Sequence, residues 1–549
     1  TLNWRYIMTL KEKCTVLENR VKRLQEIGLA LSTEDDINVI FELIMDEAKN
    51  ITNADGRTLY MISQDGKTMK FEIMATESMN FSQGGTTGVE ITIPPMQLFN
   101  EDETPNHSSI VAYSANTGKI VNIKDAYKEK GFDFTGAKNF DKNTGYRTQS
   151  VLSVPLKNHE NDIVGVMQLI NAKDPRTDKT ISFSDDMLKQ VESLASQGAV
   201  ALTNKRLVVE LKNLFESFIQ LIATAIDKKS PYTGGHCERV PEITMLLADA
   251  VEKTTEGKYA DFTMTEDERY ELYLAGWLHD CGKVATPPHV VDKGMKLETI
   301  TDRIEVMDTR FEVLKRDAEI SMLKKQISLM EKGSTNGAIK TLETELETKT
   351  NQFSSDQTFI QKTNRGGEFM EEEDQKRVAD IGNYKWKLEG EEINLFDEKD
   401  VRNLQIPKGT LLPEEREIIN DHIVITIEML EKLPYPKKLR KIPEFAGGHH
   451  EKLDGTGYPK GLKDEEMSVQ AKMMAIADIY EALTAADRPY KDGKKLSQAM
   501  RIMGYMKKDY EIDQDLFEIF VKEGVYKKYA NKYLGDDQLD EVDEAAVLA

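Results

Sequence analysis

Six of the eight histidines in this 549-residue chain, namely His236, His279, His289, His422, His449 and His450, fall after residue 230. Two of them are adjacent, in the stretch His449-His450-Glu451-Lys452-Leu453-Asp454-Gly455-Thr456-Gly457-Tyr458-Pro459, which combines two imidazoles, two carboxylates and a two-glycine turn. Adjacent histidines are poor core residues unless each ring has a partner, whereas neutral imidazole beside carboxylate is common ligand chemistry for first-row metals. A polar surface turn is the plain alternative for that stretch taken alone. The other positions weigh against it. His236 starts a helical pattern with Arg239, Ile243 and Leu246 behind it, and His279 and Asp280 end the apolar run Leu272 to Leu278. A charged pair there is costly to bury without a metal or a counter-charge. His422 sits in a helix begun by Pro413-Glu414-Glu415, and Asp478 interrupts the apolar run Met473 to Ala477. A fold that suits this chain has to gather polar side chains from several distant helices.

The length is too great for one ordinary core and predicts two to four domains. Cys14, Cys237 and Cys281 are far apart and form no CxxC pair, which fits a reducing compartment and a cytoplasmic setting. No run of eighteen apolar residues exists and the N-terminus lacks the order of a signal peptide, so no membrane span is expected within this chain. The chain begins at Thr1 and not at Met, which leaves room for an upstream segment, a membrane anchor included. A formal charge of -22 argues against a duplex nucleic-acid binder, which needs a basic footprint to release counterions. A small anionic substrate remains compatible, given a few local Lys or Arg residues.

Residues 1–32 read as an amphipathic helix, with Leu10, Leu17, Val21, Leu24 and Leu29 among charged residues; some of the spacing is heptad-like and suits either a coiled-coil dimer seam or packing on its own domain. Ser32 to Asp36 then introduces a capped helix, Ile37 to Ile51. Strand patterns follow at Thr58 to Ile62, Lys70 to Ala75, Val89 to Ile93, Ser150 to Pro155 and Ile163 to Ile170, an α+β order. The segments Asn139 to Thr148, Ser153-Val154-Pro155-Leu156 and Gly165-Val166-Met167-Gln168-Leu169-Ile170-Asn171 resemble a GAF domain, in the style of those that accompany cyclic-nucleotide phosphodiesterases. The resemblance implies a sensor domain over 33–183, with a small-molecule ligand or a dimerising role. Ser184, followed by Asp185 and Asp186, caps a helical pattern that runs to Lys229, and 184–230 is read as a connecting helix.

The second half is identified as a member of the HD-GYP branch of HD-domain phosphohydrolases. The residues that carry this are Tyr232-Thr233-Gly234-Gly235-His236, His279-Asp280-Cys281-Gly282-Lys283, His422, the His449 to Pro459 stretch, Ile476 to Thr484, and Arg488-Pro489-Tyr490-Lys491. The resemblance implies an all-α domain over 231–549 that hydrolyses bacterial cyclic dinucleotides. The implied metal ligands are His236, His279, Asp280, His422, His449, His450 and Asp478; His289 matches no ligand position. It also implies two or three bridged metals, usually iron or manganese. Tyr232 stands where three-metal members carry a glutamate, which favours two. Asp280 is the expected bridging carboxylate, and Lys283, about one turn on, is expected to meet the phosphate as charge develops. Arg488 and Lys491 are implied phosphate clamps, although Thr484-Ala485-Ala486-Asp487 holds one residue more than the usual spacing. Gly455 and Gly457 let the loop turn, Tyr458 can face a base or phosphate, and Pro459 stiffens the exit. Glu451 and Asp454 are expected to orient the histidines and pin the loop. Cys237 and Cys281 follow ligand positions but point away from them and are expected to pack as small apolar residues.

One departure from the family pattern is large. A segment starting at Gly294-Met295-Lys296-Leu297 reaches Arg310 where a metal histidine is expected, and a similar segment at Pro407 to Pro413 delivers His422. Between them, 297–410 reads as a helical-hairpin insertion, with Phe311, Leu314, Ala318, Ile327 and Met330 on one run and Leu342 and Leu346 on the next. The expected function is a GAF-regulated, homodimeric cyclic di-GMP phosphodiesterase with two divalent ions, Fe or Mn. A preference for mixed cyclic GMP-AMP, and a silent dinucleotide receptor, are the alternatives. A hydrolase of mononucleotides or alarmones is disfavoured, because those relatives lack the Gly455 to Pro459 loop and the Arg488 and Lys491 pair.

Overall fold

The computed structural model describes residues 22–23, 25–229, 234–332, 336–367, 369–486 and 493–549. The chain divides into two compact units, Thr1–Leu214 and Phe215–Ala549. In the first, helix α1 (Ile37–Thr52) starts where Asp36 accepts the Asn38 N–H, and precedes strands β1 (Ala54–Ile62) and β2 (Thr68–Thr76). After β3 (Phe81–Gly84) and β4 (Met96–Gln97) come α2 (Ile110–Thr117), β5 (Val121–Ile123) and α3 (Thr135–Thr144). Strands β6 (Val151–Lys157), β7 (Ile163–Lys173) and β8 (Thr180–Ile181) complete an antiparallel sheet in the order β3-β2-β1-β7-β6-β5, with β4 on β2 and β8 on β7.

Period-two alternation places successive side chains on opposite faces of this sheet. Leu59, Leu152 and Met167 face a core with Ile40, Ile44 and Val191, while their neighbours Tyr60, Val151 and Val166 face a second core with Ile110, Val111 and Phe134. Val89 to Ile93 is not a strand. β3 takes the place beside β2, Pro94-Pro95 supply no N–H to a ladder, and Val89 and Ile93 are exposed. Leu10, Leu17, Val21 and Leu24 of the expected N-terminal helix, and Cys14, lie outside the described residues; 25–33 are helical, with Leu29 exposed and Leu31 buried.

Helix α4 (Asp185–Lys229) carries the chain out of the first unit. The second unit is largely helical: α5 (His236–Lys253), α6 (Glu266–Leu278), α7 (Ile304–Glu331), α8 (Asn336–Asn364) and α9 (Glu372–Gly382) lead to a hairpin of β9 (Lys385–Leu388) and β10 (Glu391–Asn394). Then follow α10 (Glu398–Leu404), α11 (Pro413–Glu431), α12 (Ile442–Gly447), α13 (Val469–Thr484), α14 (Leu496–Lys508), α15 (Gln514–Lys522) and α16 (Val525–Tyr533). The main core joins Val240, Leu272, Phe445, Ile476, Tyr480, Phe517 and Tyr526 from α5, α6 and α12 to α16.

A separate core holds Leu297, Phe311, Leu314, Phe353, Ile360, Phe396 and Leu404 and belongs to the α7–α8 hairpin and the stretch from α9 to α10. Ile327 and Met330, from the same apolar stripe of α7, are exposed because the hairpin extends past that core. Arg310 donates to the Leu395 carbonyl at 2.7 Å and pairs with Asp400, so it serves the hairpin core. The two ends of this segment meet: Thr410 donates to the Lys293 carbonyl at 2.9 Å, and buried Lys296 donates to the carbonyls of Leu404 and Ile406. Among the described residues no helix is long and apolar enough to cross a membrane.

Candidate metal centre

Each candidate ligand stands at or near the end of a helix or on its buried face. Gly235, with φ of +83°, turns the chain into α5 at His236, and Asp227 accepts the N–H groups of Gly235 and Cys237 at 3.1 and 3.2 Å. α6 opens on a reciprocal cap between Thr265 and Glu268 and closes on His279 and Asp280. The next turn, Cys281–Ala285, packs against α11 at Gly282, where an added Cβ would lie 1.9 Å from the His422 carbonyl oxygen. The Gly282 N–H donates to Thr426 Oγ1 at 2.8 Å, one turn beyond His422. Pro413 at the first turn starts α11, and Glu415 accepts the Leu412 N–H. His449 and His450 follow α12, and α13, capped by Ser468, presents Asp478.

These elements bring the seven predicted residues together. His236 Nε2 lies 3.1 Å from Asp280 Oδ2, 3.2 Å from His279 Nε2 and 3.3 Å from Asp478 Oδ1. On the other side of Asp280, Oδ1 is 3.1 Å from His422 Nε2, which is 3.3 Å from His450 Nε2. His449 lies between, edge-on to His279 with ring centroids 4.9 Å apart and tilted against His450 at 4.0 Å. Asp280 therefore belongs to both halves, with His236 and His279 on one side and His422, His449 and His450 on the other.

The ring orientations follow from the backbone. Nδ1 of His279 lies 2.7 Å from the Gly276 carbonyl, Nδ1 of His449 lies 2.6 Å from that of Ala446, and Nδ1 of His422 meets that of Ile419. A carbonyl oxygen only accepts, so each Nδ1 carries the proton and each Nε2 turns a lone pair inward. His236 differs: its Nδ1 meets Glu481 Oε2 at 2.5 Å, and Arg239 holds the other Glu481 oxygen at 2.7 Å. Burial opposes the charge of Glu481, but His236 and Arg239 outweigh it and hold its carboxyl down at about 2.

Burial likewise works against the charged forms of Asp280 and Asp478, and the surrounding imidazoles, with Lys283 beside Asp280, keep both carboxyls well below the usual range. Burial and neighbouring rings push His449 well down and His450 down to about 4. Burial also works against the charge of His236, but Glu481, Asp280 and Asp478 outweigh it and push this ring well above the usual range. The pocket thus holds ionised carboxylates, with His449 and His450 kept neutral, protonation states that ligate cations. Two features fit a cation further. Nε2 atoms of different rings face one another at little more than 3 Å, and Asp280 Oδ1 and His449 Nε2 are buried without a hydrogen-bond partner.

The loop after His450 is held by its own groups. Glu451 accepts the N–H groups of Lys460 and Leu462 at 2.7 and 2.9 Å, and Asp454 those of Thr456 at the backbone and hydroxyl. Both carboxylates pin the loop, and the ring of His449 is oriented by the Ala446 carbonyl and not by Glu451. Gly455 has φ of +82°, and a Cβ at Gly457 would lie 2.3 Å from the Lys452 nitrogen. Tyr458 stacks on His450 at 4.8 Å. Tyr458, His450 and Lys283 are partly exposed, whereas His236, His279 and His449 are buried, which marks the side open to a ligand. The Lys283 ammonium lies on Asp280 Oδ2. Cys237 and Cys281 are buried free thiols, and burial raises both, Cys281 to about 11. Tyr232, Arg488 and Lys491 lie outside the described residues. Sequence reasoning passed over Glu481, although it lies one helical turn beyond Asp478 on the same helix and shares its face.

Comparison with known proteins places this geometry. Residues 36–202 match the GAF domain model and residues 399–516 the HD domain model. A 3'3'-cGAMP-specific phosphodiesterase 1 of Vibrio cholerae is 40% identical over 14% of this chain and 18% of its own length. A cyclic di-GMP phosphodiesterase of Thermotoga maritima is 41% identical over 17% of this chain and 25% of its own. The chain carries a GAF domain and an HD domain. The alignments span about a fifth to a quarter of those curated relatives. Among solved structures, the GAF domain of an Acinetobacter phosphoenolpyruvate-protein phosphotransferase covers 35% of this chain and 98% of its own, at 14% identity and a TM-score of 0.26. The HD-domain match contains His422, His449, His450 and Asp478; His236, His279 and Asp280 precede it.

Proposed function

We propose that this protein is an HD-GYP, metal-dependent phosphodiesterase of cyclic dinucleotides, cyclic di-GMP first among them, regulated through its GAF domain. The observation that carries the reading is the double cluster around Asp280, with inward Nε2 atoms and carboxylates on both sides. His236, His279, Asp280 and Asp478 would hold one divalent ion, and Asp280, His422, His449 and His450 a second, iron or manganese. When bound, such a pair activates water near neutral pH and opposes the charge that develops on a phosphoryl group. The chain supplies the rest. Glu481 keeps the proton on His236 Nδ1 and so aims Nε2 inward. Lys283, the cation nearest Asp280, would move onto a phosphate oxygen of the substrate and balance charge in the transition state. Tyr458 on His450 offers an aromatic face to a base. Gly455 and Gly457 shape that loop, and Arg488 and Lys491 complete the proposed phosphate contacts. A mixed cyclic GMP-AMP substrate is the second reading, favoured by the cGAMP-specific relatives.

The same proposal includes a homodimer in a reducing, cytoplasmic setting. Leu207, Leu211, Leu214, Phe218 and Leu221 of α4 are exposed and follow the alternating four-and-three spacing of a coiled-coil seam, which a second copy of the helix would cover. The test is elemental analysis of anaerobically purified protein with an assay of both cyclic dinucleotides. Asp280→Ala and His450→Ala are expected to lose metal and turnover, and Cys281→Ala neither. Absence of hydrolysis with any iron or manganese form overturns the reading, and full metal occupancy in the first two variants overturns the ligand assignment.

A further inference from the structure

The last turn of α4 makes contacts that ligand chemistry does not require. Lys229 directs its ammonium to three carbonyls of one turn: Lys283 at 3.1 Å, Val284 at 2.5 Å and Thr286 at 2.7 Å. An ammonium has three N–H donors, so all of them serve the segment that follows Asp280. Two residues earlier, buried Asp227 accepts the N–H groups of Gly235 and Cys237, which bracket His236. One helix end thus grips the backbone of both partners in the 3.1 Å approach of His236 to Asp280. The turn is a short 3-10 segment, tied on its far side by the Gly282 bond to Thr426. Ile219 and Ile226 of α4 are buried in the main core, so the grip has a firm base.

We infer that the α4 terminus, through Lys229 and Asp227, is a positioning element of the metal centre. This rests on the metal-centre reading above. Release of Lys229 frees the carbonyls of Lys283, Val284 and Thr286 and leaves the Asp280 turn held from the α11 side. Lys229 and Asp227 are positioning residues; neither touches the reacting atoms.

The experiment uses the full chain with Lys229→Met, Lys229→Arg, Asp227→Asn and, as control, Lys228→Met, since Lys228 is exposed. Amide exchange of the peptide over 281–286 is expected to be about tenfold faster in Lys229→Met. Its Mn²⁺ affinity, by calorimetry, is expected to fall about tenfold, as for losses of other groups that orient ligands. Lys229→Arg is expected to restore much of both, and Lys228→Met to change neither. Where turnover is measurable, kcat falls in Lys229→Met while KM stays within about twofold, because substrate contacts are untouched. Exchange and Mn²⁺ affinity both within twofold of the parent overturn the inference. Should Lys229→Met not fold, Asp227→Asn with the same two readouts decides it. A parent chain that binds Mn²⁺ yet hydrolyses no dinucleotide refutes the phosphodiesterase reading alone, because exchange and affinity still judge the grip.

Discussion

Replacing Gly282 with alanine tests how closely the metal-bearing turn must approach α11. The new Cβ would lie 1.9 Å from the His422 carbonyl oxygen and 2.6 Å from the Thr426 nitrogen, both backbone atoms that cannot rotate away. Relief requires the turn and helix to separate by about 1 Å. Overpacking of this kind costs about 1 to 3 kcal/mol, and the Gly282 bond to Thr426, lost in the separation, about 1 kcal/mol more. A sum of roughly 2 to 4 kcal/mol lowers the melting temperature of the C-terminal unit by about 4 to 8 °C, at about 2 °C per kcal/mol for a domain of this size. The same movement widens the 3.1 Å gap between His422 Nε2 and Asp280 Oδ1. Misplacement near 1 Å at a reacting centre costs about a hundredfold in rate. Thr426→Val separates the two effects, since it removes the bond and keeps the spacing. It is expected to cost about 1 kcal/mol and leave metal content near that of the parent. Calorimetric melting and metal titration of both variants are the assays. Parental melting and parental metal affinity in Gly282→Ala would refute the reasoning.

Glu481→Gln removes the charge that holds His236 and is expected to weaken Mn²⁺ binding about 10- to 100-fold, measured by titration, with the α13 fold retained by circular dichroism. In the N-terminal unit, burial pushes the Asp55 carboxyl up, but Lys173 at 2.8 Å, Ser78 and Tyr146 outweigh it and leave its pKa below 3.8. The stabilisation is therefore fully present above about pH 4 and is lost as pH falls through the lowered value. Asp55→Asn should cost about 1 to 3 kcal/mol at pH 7 and progressively less below pH 4. Equal losses in melting temperature at pH 7 and pH 3 would count against that assignment.

Much of the architecture was legible in the residues, for reasons that differ by element. The alternation around Leu59 and Tyr60, and around Val151 and Leu152, reports two covered sheet faces, because the side-chain period of a strand is two. Ser184 and the acids after it mark the start of α4 within a residue, because capping is local chemistry. Val89 to Ile93 alternates equally well yet forms no strand, since pairing depends on which segment reaches β2 first, and β3 does. The hairpin of β9 and β10 was not legible, since four residues a side carry little pattern. At the candidate site, ligand types could be read, while their aim could not. Glu451 looked like the partner of the adjacent histidines, but it turned to Lys460 and Leu462, and for His449 the backbone carbonyl three residues earlier took its place. Gly282 carried no sign of a backbone contact with a helix 144 residues away.

Those carbonyls bear on how such a centre tolerates change in the chain around it. His279, His422 and His449 each take their ring orientation from the helix turn that precedes them, so their aim travels with the helix as a unit. The chain between two such helices is then constrained only where it leaves and returns. In this protein it leaves at Lys293 and returns at Thr410, where the two ends are bonded to each other, and the segment between them has a core of its own. The long hairpin is thus a graft on a closed ring. It can lengthen, shrink or acquire a surface of its own without re-aiming a single imidazole.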